Sequence, residues 1–304
     1  MTDEDRRPLL VGTVTLDYLH EGAIGRAVSP AILRWGGVVH NVACATAARG
    51  GRPLFVTAEY TGDLGRAVAS HLAEHGVEWL PLPVQAPLPV FEAELADGSV
   101  VDKHFVGQEA LDLLTPELLT AHRELLDRAS VVVAGTDAHP ATLGWLCAAA
   151  QERGLPFWLL SADPTEVHKL VPQGRPADFV ALNARELCRW AGSELTEDQM
   201  IAAAGKLVAD GGHCLLTLGH QGSLLVATDG TEPIRQPAVT VGSHGLVTVG
   251  AGDVLFGCLL TGRLAELDWR RALAEATALT SAFLVEDGSR AAPYYALRPK
   301  PANP

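Results

Sequence analysis

Short, continuous apolar runs recur along the chain, and between most of them lies a stretch with helical character. The runs Leu9–Val14, Leu54–Ala58, Val131–Ala134, Phe157–Leu160, Phe179–Leu182 and Cys214–Leu218 predict buried strands. The amphipathic or Ala-rich stretches Val42–Arg49, Leu64–His75, Pro116–Arg128, Ala141–Arg153 and Met200–Ala209 predict helices. Alternation of this kind predicts βαβ units and a mostly parallel sheet. The first run leads through Gly12-Thr-Val-Thr-Leu-Asp17, which predicts a strand delivering a carboxylate at its C-terminal end.

Two segments, Ala23–Trp35 and Leu88–Phe105, break that rhythm with strand-like runs and turn signals, the second around Asp97-Gly98. They predict a small separate sheet. No internal repeat or low-complexity linker divides the chain, and the one loose end is the Pro-rich tail Arg298–Pro304. A single main domain over residues 1–304, with β-strand insertions at about 23–35 and 88–105, accounts for the pattern.

Composition narrows the function. With 304 residues, 48% of them hydrophobic, the chain can bury a large core. Its formal charge of -13, from 23 Lys+Arg against 36 Asp+Glu, repels nucleic acid and anionic membrane surfaces. No basic patch offsets this, since the nearest clusters are the pairs Arg6-Arg7 and Arg270-Arg271. The expected partner is therefore a small molecule, with neither nucleic acid nor membrane. An acidic protein that handles an anion such as ATP needs metal ions and helix N-termini to offset its own charge. Cys44, Cys147, Cys188, Cys214 and Cys258 are an odd set without a C-x-x-C pair and read as reduced core thiols. The opening MTDEDRRPLL has no long apolar run after it, so neither a signal peptide nor a membrane anchor is expected, and the protein is placed in the cytoplasm.

The most informative motif is Thr248-Val-Gly-Ala-Gly-Asp253, which runs into the apolar stretch Val254–Leu260. A Gly-rich turn entering a buried helix would present the free N–H groups of Ala251, Gly252 and Asp253 to an anion, with Gly250 shaping the turn. A carboxylate at the same helix end is placed to accept the proton of a hydroxyl attacking a bound phosphate, which makes Asp253 the candidate base. The alternative is that Asp253 is the N-cap of its helix. A dinucleotide fingerprint fits poorly because it needs glycine where Leu255 stands, and no Walker A loop is present.

Further motifs follow in order: Asp17 after the first strand, Gly36-Gly37-Val-Val-His-Asn41, Gly62-Asp63, Asn183-Ala-Arg-Glu186 and Thr217-Leu-Gly-His-Gln-Gly222. Together with Gly-Ala-Gly-Asp253 this set resembles the ribokinase-like (PfkB) carbohydrate kinases over residues 12 to 253. The resemblance implies a three-layer α/β ribokinase-like fold, with a mostly parallel central sheet and a small β-strand lid. It implies an ATP-dependent kinase acting on a sugar or nucleoside hydroxyl. On the substrate side it points to Asp17, Gly36, Gly37 and Asn41, and on the catalytic side to Asp253 with Gly250, Ala251 and Gly252. Asn183 and Glu186 would order the water shell of Mg²⁺, and Thr217, Gly219 and Gly222 would line the nucleotide pocket. Lid strands that pair between subunits would make a homodimer.

Other readings stay open for several of these residues. Asn41 could cap its helix, Asn183 and Glu186 could form a capping box, and the glycines after Thr217 could serve a hairpin into Ser223–Ala227. Within the family, the stretches Gly36–Ala43, Thr115–Arg123, Ala129–Ala134 and Leu182–Glu186 resemble pseudouridine kinases most, which implies the 5′-hydroxyl of pseudouridine as acceptor. Ribose, fructose, adenosine and 2-keto-3-deoxygluconate are the alternatives, and a non-catalytic nucleoside or sugar sensor is a further one. Three departures from the family pattern are Val247 where Asp is usual, Ala181 where a basic residue is usual, and one residue fewer in Gly62-Asp63-Leu-Gly65. The first puts a monovalent-cation (K⁺) site in doubt.

Two more stretches contain ligand-type residues. His71-Leu-Ala-Glu74-His75 matches an H-x-x-E-H metal pattern, but Val68 and Leu72 define the buried side of that helix, so a solvated face is expected. Asp163-Pro164 reads as a turn, and Asp137, His139, Lys169 and His244 have no motif to support a role.

Overall fold

The apolar runs do become strands, in a computed structural model that describes residues 6–21, 31–96, 98–240, 247–287 and 294–299. In chain order the strands are β1 (Arg7–Val11), β2 (Thr15–Glu21), β3 (Ile32–Gly36), β4 (Leu54–Tyr60), β5 (Glu78–Ala86), β6 (Val90–Ala96), β7 (Ser99–Val106), β8 (Ala129–Gly135), β9 (Phe157–Leu160), β10 (Ala177–Asn183), β11 (Val208–Thr217), β12 (Ser223–Ala227) and β13 (Ile234–Gln236). The α-helices are α1 (Val38–Ala48), α2 (Gly62–Glu74), α3 (Pro116–Ala121), α4 (Pro140–Glu152), α5 (Ala184–Ala191), α6 (Glu197–Ala204), α7 (Ala251–Leu264) and α8 (Trp269–Ala282).

Contacts divide the chain into two compact units, Met1–Gly12 with Leu111–Ala238, and Thr13–Ala110 with Val239–Pro304. In the first unit the described strands lie in the order β13-β12-β11-β10-β9-β8-β1. Neighbours from β1 to β11 are parallel, whereas β12 and β13 are added antiparallel. All four residues of β9 are buried, as are six of the seven in β8. A parallel strand covered on both faces has no polar side to show, which is why these strands read as unbroken apolar runs.

In the second unit β4 and β5 pair in parallel, and a separate four-stranded sheet runs β3-β2-β6-β7. The insertion expected at 88–105 is the hairpin β6–β7, although Asp97 of its expected turn lies outside the described residues. Of the insertion expected at 23–35, only β3 is described. Strand β7 is exposed along nearly its whole length, with Val101 at 58%.

The structure corrects three expected boundaries. The first strand stops at Val11, and Asp17 belongs to β2, where alternate positions Thr15, Asp17 and Leu19 are buried. Period-2 alternation therefore turns Asp17 inward from mid-strand, rather than leaving it at a strand end. The helix expected over 200–209 starts earlier, where Thr196 and Gln199 form a capping box, and it ends at Ala204, so that Val208 opens β11. The stretch 116–128 is a short α-helix followed by a 3-10 segment, with His122 out of helical geometry at the joint.

Helix α7 is buried on all sides from Val254 to Leu260, and each such Leu or Phe contributes about 2 kcal/mol by leaving water. It packs against α1 at close range. A Cβ on Gly257 would sit 2.8 Å from both the Ala45 Cβ and the Val42 carbonyl oxygen, so only glycine allows this approach. One turn earlier on each helix stand Asn41 and Asp253. The five cysteines are free thiols, four of them buried. No helix among the described residues is long and apolar enough to cross a membrane.

Candidate active site

Two neighbouring strands and two helix starts build the polar centre of the second unit. Asp17 on β2 is 3% exposed, and the Thr15 hydroxyl donates to its Oδ1 at 2.6 Å. Its Oδ2 makes no hydrogen bond among the described residues. Burial raises the Asp17 carboxyl to about 6, against smaller lowering effects from Thr15 and the Arg34 guanidinium. Gly36 fits because a Cβ there would lie 2.1 Å from that Oδ2. Gly37, at φ 103, is the N-cap of α1, and a Cβ on it would press on the Thr13 carbonyl oxygen at 2.5 Å. The pair thus turns the chain from β3 into α1 while letting the Asp17 carboxylate pack directly against the Gly36 backbone.

Asn41 is not an N-cap, because Gly37 holds that position. Its backbone N–H donates to the Gly37 carbonyl, and its side chain is left for tertiary contacts. Nδ2 donates to Asp253 Oδ2 at 2.8 Å. Oδ1 accepts from the Tyr294 hydroxyl at 2.7 Å and from His40 Nδ1 at 3.1 Å. A carboxylate only accepts hydrogen bonds, so the Asn41 amide has one orientation here. Tyr294 is fully buried, which raises its phenol well above the usual value and keeps it a donor.

Asp253 is not an N-cap either. Gly250, at φ 84, fills that place and Asp253 is the third residue of α7, still within the turn where a negative charge is favoured by the helix dipole. The expected trio of free amides needs one correction. The Ala251 N–H donates to the Thr248 carbonyl at 3.1 Å, closing the Gly-rich turn on itself. The first intrahelical bond runs from Val254 N–H to the Gly250 carbonyl, so the Gly252 amide precedes it, and a Cβ on Gly252 would meet nothing within 4 Å. That open approach to a helix N-terminus suits a phosphate oxygen. Arg34 on β3 donates to the Val249 carbonyl at 2.9 Å and so ties the turn to the sheet that carries Asp17.

In the first unit Asn183 and Glu186 form the capping box of α5. Asn183 Oδ1 accepts from the Glu186 N–H at 2.9 Å, and Glu186 Oε2 accepts from the Asn183 N–H at 2.8 Å. Asn183 pairs in register with Thr217 across β10 and β11. Beyond Thr217, Gly219–Gln221 make one 3-10 turn before β12, so the expected hairpin is present as well. Asn183, Thr217, Gly219 and Gln221 line a cleft of about 390 Å³ with Ala184, Arg185, Glu197, Leu218 and Met200, whereas Glu186 and Gly222 lie outside its lining. A buried carboxylate beside a strand-end cleft is a donor set that fits a hydrated Mg²⁺.

Several residues take other places than the motifs suggested. Asp63 is exposed at the start of α2, where it pairs with Arg66. Val247 is buried in an apolar cluster with Leu19, Ala93 and Leu95, so its side chain supplies no oxygen to a cation. Asp163 accepts from the Thr165 N–H and hydroxyl, as a turn residue does. His139 caps α4 and Lys169 donates to the Ala138 carbonyl, while His244 lies outside the described residues. His71 is not on a solvated face. It is 8% exposed, and its Nε2 lies 2.9 Å from His40 Nε2. Arg34 and Tyr294 were missed because their partners lie 215 and 253 positions away, and His40, next to Asn41 in the chain, because no motif spacing marks it.

The chain is similar to known proteins in sequence and in fold. The family profile described as pfkB family carbohydrate kinase matches residues 25–293. The 1-phosphofructokinase of Escherichia coli (strain K12) is 36% identical over 105 residues, which are 34% of this chain and 32% of that protein, so the match spans about a third of that curated relative. Among solved structures, the adenosine kinase from Sinorhizobium meliloti superposes with a TM-score of 0.80 at 17% identity, covering 94% of this chain and 96% of that one. The Arabidopsis thaliana ribokinase, complexed with ribose and ATP, gives 0.76 at 21% identity, covering 93% and 94%. The ribokinase from Giardia lamblia gives 0.77 at 19%, covering 97% and 96%. At these identities the likeness shows the fold, which is the ribokinase-like α/β fold.

Proposed function

Since the chain belongs to the pfkB family of carbohydrate kinases, we propose that it transfers the γ-phosphate of ATP to a hydroxyl of a sugar or nucleoside. The observation that carries this reading is the Asn41 Nδ2 to Asp253 Oδ2 hydrogen bond of 2.8 Å at the first turn of α7. It fixes a carboxylate beside a helix N-terminus, which is the arrangement a phosphoryl transfer to an alcohol needs.

In this reading Asp17 accepts hydrogen bonds from acceptor hydroxyls and holds the ring against Gly36 and Gly37. Asp253 takes the proton of the attacking hydroxyl. The new bond forms between that oxygen and the γ-phosphorus, the bond to the β-phosphate oxygen breaks, and ADP leaves with the electron pair. Asn41, itself held by Tyr294 and His40, orients the base. The Gly252 amide and the α7 dipole stabilise charge on the transferring group. Asn183 and Glu186 would hold the water shell of Mg²⁺, whose charge, when bound, screens the phosphates, and the cleft at Thr217 and Gly219 takes the nucleotide, with Gly222 ending the turn that follows them. Val247 removes one oxygen from any K⁺ site, so K⁺ independence is expected. A homodimer through the lid strands would use the exposed β7.

On the acceptor, the names of the relatives favour the wider set over the pseudouridine expected from sequence. Those proteins are named for adenosine, ribose and 1-phosphofructose. The test is ADP release with Mg-ATP against ribose, adenosine, fructose, 1-phosphofructose, 2-keto-3-deoxygluconate, uridine and pseudouridine, with Asp253→Asn as control. Acceptor-dependent turnover lost in the variant supports the reading and names the substrate. Acceptor binding without turnover by the wild type would replace it with a sensor.

A further inference from the structure

Behind the Asn41–Asp253 pair lies a cluster of which phosphoryl transfer uses only the His40 Nδ1, as a support for Asn41. We propose that His40, Cys44 and His71 form a binding site for Zn²⁺ or a similar borderline-soft divalent cation. His40 and Cys44 stand four residues apart on one face of α1, and His71 comes from α2. Their ligand atoms all lie within 4.8 Å of one another, with 2.9 Å between His40 Nε2 and His71 Nε2 and 3.4 Å between His40 Nε2 and Cys44 Sγ. Zinc bonds of about 2.0 Å to nitrogen and about 2.3 Å to sulfur, at tetrahedral angles, need separations of about 3.3 and 3.5 Å, which differ from these by a few tenths of an ångström or less.

The tautomers suit a metal as well. His40 Nδ1–H donates to the Asn41 Oδ1, which leaves the Nε2 lone pair facing the cluster. A metal-binding histidine is oriented in this way by the group that holds its other ring nitrogen. In the metal-free protein both the His71 N–H and the Cys44 S–H are directed at that single lone pair, so two donors compete for one acceptor. A cation replaces the contest with three bonds. Burial keeps both imidazoles neutral, which is the form a metal takes, and the same burial raises the Cys44 thiol, so its thiolate forms only with the cation. The Trp35, Phe55 and His75 rings lie against the cluster, giving it a largely aromatic surround. A thiolate with two imidazoles selects zinc-like ions over Mg²⁺ or Ca²⁺.

Binding releases the Cys44 thiol proton and moves the His71 N–H to its other nitrogen, so one proton leaves per cation. The occupied site would stand two hydrogen bonds from Asp253, through His40 and Asn41, and would stiffen the group that orients it.

The test uses untagged full-length protein stripped with a chelator and titrated with Co²⁺, then with Zn²⁺. We expect about one Co²⁺ per chain, with intense visible absorption of a four-coordinate site and a thiolate-to-cobalt charge-transfer band. We also expect release of one proton and displacement by one equivalent of Zn²⁺. Cys44→Ser should abolish the charge-transfer band, and His71→Gln should weaken Zn²⁺ binding about 10- to 100-fold. Cys188→Ala, at the one partly exposed thiol, should change neither. Absence of the band in the wild type, or its loss in Cys188→Ala, would overturn the proposal even if the Cys44 or His71 variant failed to fold. Because the readout is spectroscopic, its failure is separate from failure of the kinase reading.

Discussion

Two asparagine–carboxylate pairs stand among the described residues, and they are built differently. Asn183 and Glu186 are three residues apart and bond through backbone amides, so the pair starts a helix whatever else it does. Asn41 and Asp253 are 212 residues apart and bond side chain to side chain, across a helix crossing made close by Gly257 and Ala45. The second pair caps nothing. A buried amide held by three partners, with no part in starting its own helix, points to positioning of the carboxylate it meets.

The largest effect that sharpens this contrast is on Asp253. Asp253→Asn keeps the shape and removes the proton acceptor, and turnover should fall about 10³-fold with nucleotide affinity and melting temperature nearly unchanged. Stopped turnover with collapsed nucleotide binding would make the residue structural instead.

Asn41→Leu should act on both stability and rate. It leaves the Tyr294 hydroxyl and the His40 N–H without their acceptor, at a cost of about 3 kcal/mol, and it removes the hydrogen bond from Asn41 to the Asp253 carboxylate. Chemical denaturation and single-turnover rates on the same sample separate the two losses. A variant as stable and as fast as the wild type would contradict the positioning role.

Asp17 adds a pH dependence of similar size. In the unfolded chain its carboxyl titrates near 3.8, and in the folded chain at about 6. Between those values only the unfolded state ionises, so stability falls as pH rises through about 4 to 6, by about 3 kcal/mol in all. Asp137, also raised to about 6 by burial, adds to the same window. Denaturation midpoints measured at intervals from pH 4 to 7 should therefore flatten in Asp17→Asn without becoming level. An unchanged pH profile would place the Asp17 carboxylate in water.

The smallest effect is expected at the local pair. Asn183→Ala loses a helix cap, about 1 kcal/mol, and if the pair also holds the Mg²⁺ shell, the KM for Mg-ATP rises while acceptor binding stays constant. A stability change alone would assign the pair to helix initiation only.

Much of this was readable from the chain. Strands β8, β9 and β10 are visible as apolar runs because both their faces are covered, and a solvent-facing polar residue would have broken the run. The Gly-rich turn before α7 was visible for a local reason too, since a left-handed N-cap at Gly250 and an unobstructed Gly252 are demands on single residues. Asp17 was found but misplaced, because a run of apolar residues does not reveal that one strand ends at Val11 and another, in a different sheet, begins at Thr15.

Sequence alone determined the strand-and-helix alternation, the buried late helix and the carboxylate at its start, since propensity, hydrophobic period and turn chemistry act over a few residues. Tertiary structure alone decided that Asn41 meets Asp253, that Tyr294 and His40 hold Asn41, and that His71 turns inward to His40 and Cys44. The His40–His71, Asn41–Asp253 and Asn41–Tyr294 contacts join residues 31 to 253 positions apart, although His40 itself is the chain neighbour of Asn41. No local pattern encodes such a distance, because the closeness follows from how helices and sheets pack once the apolar surface between them is buried.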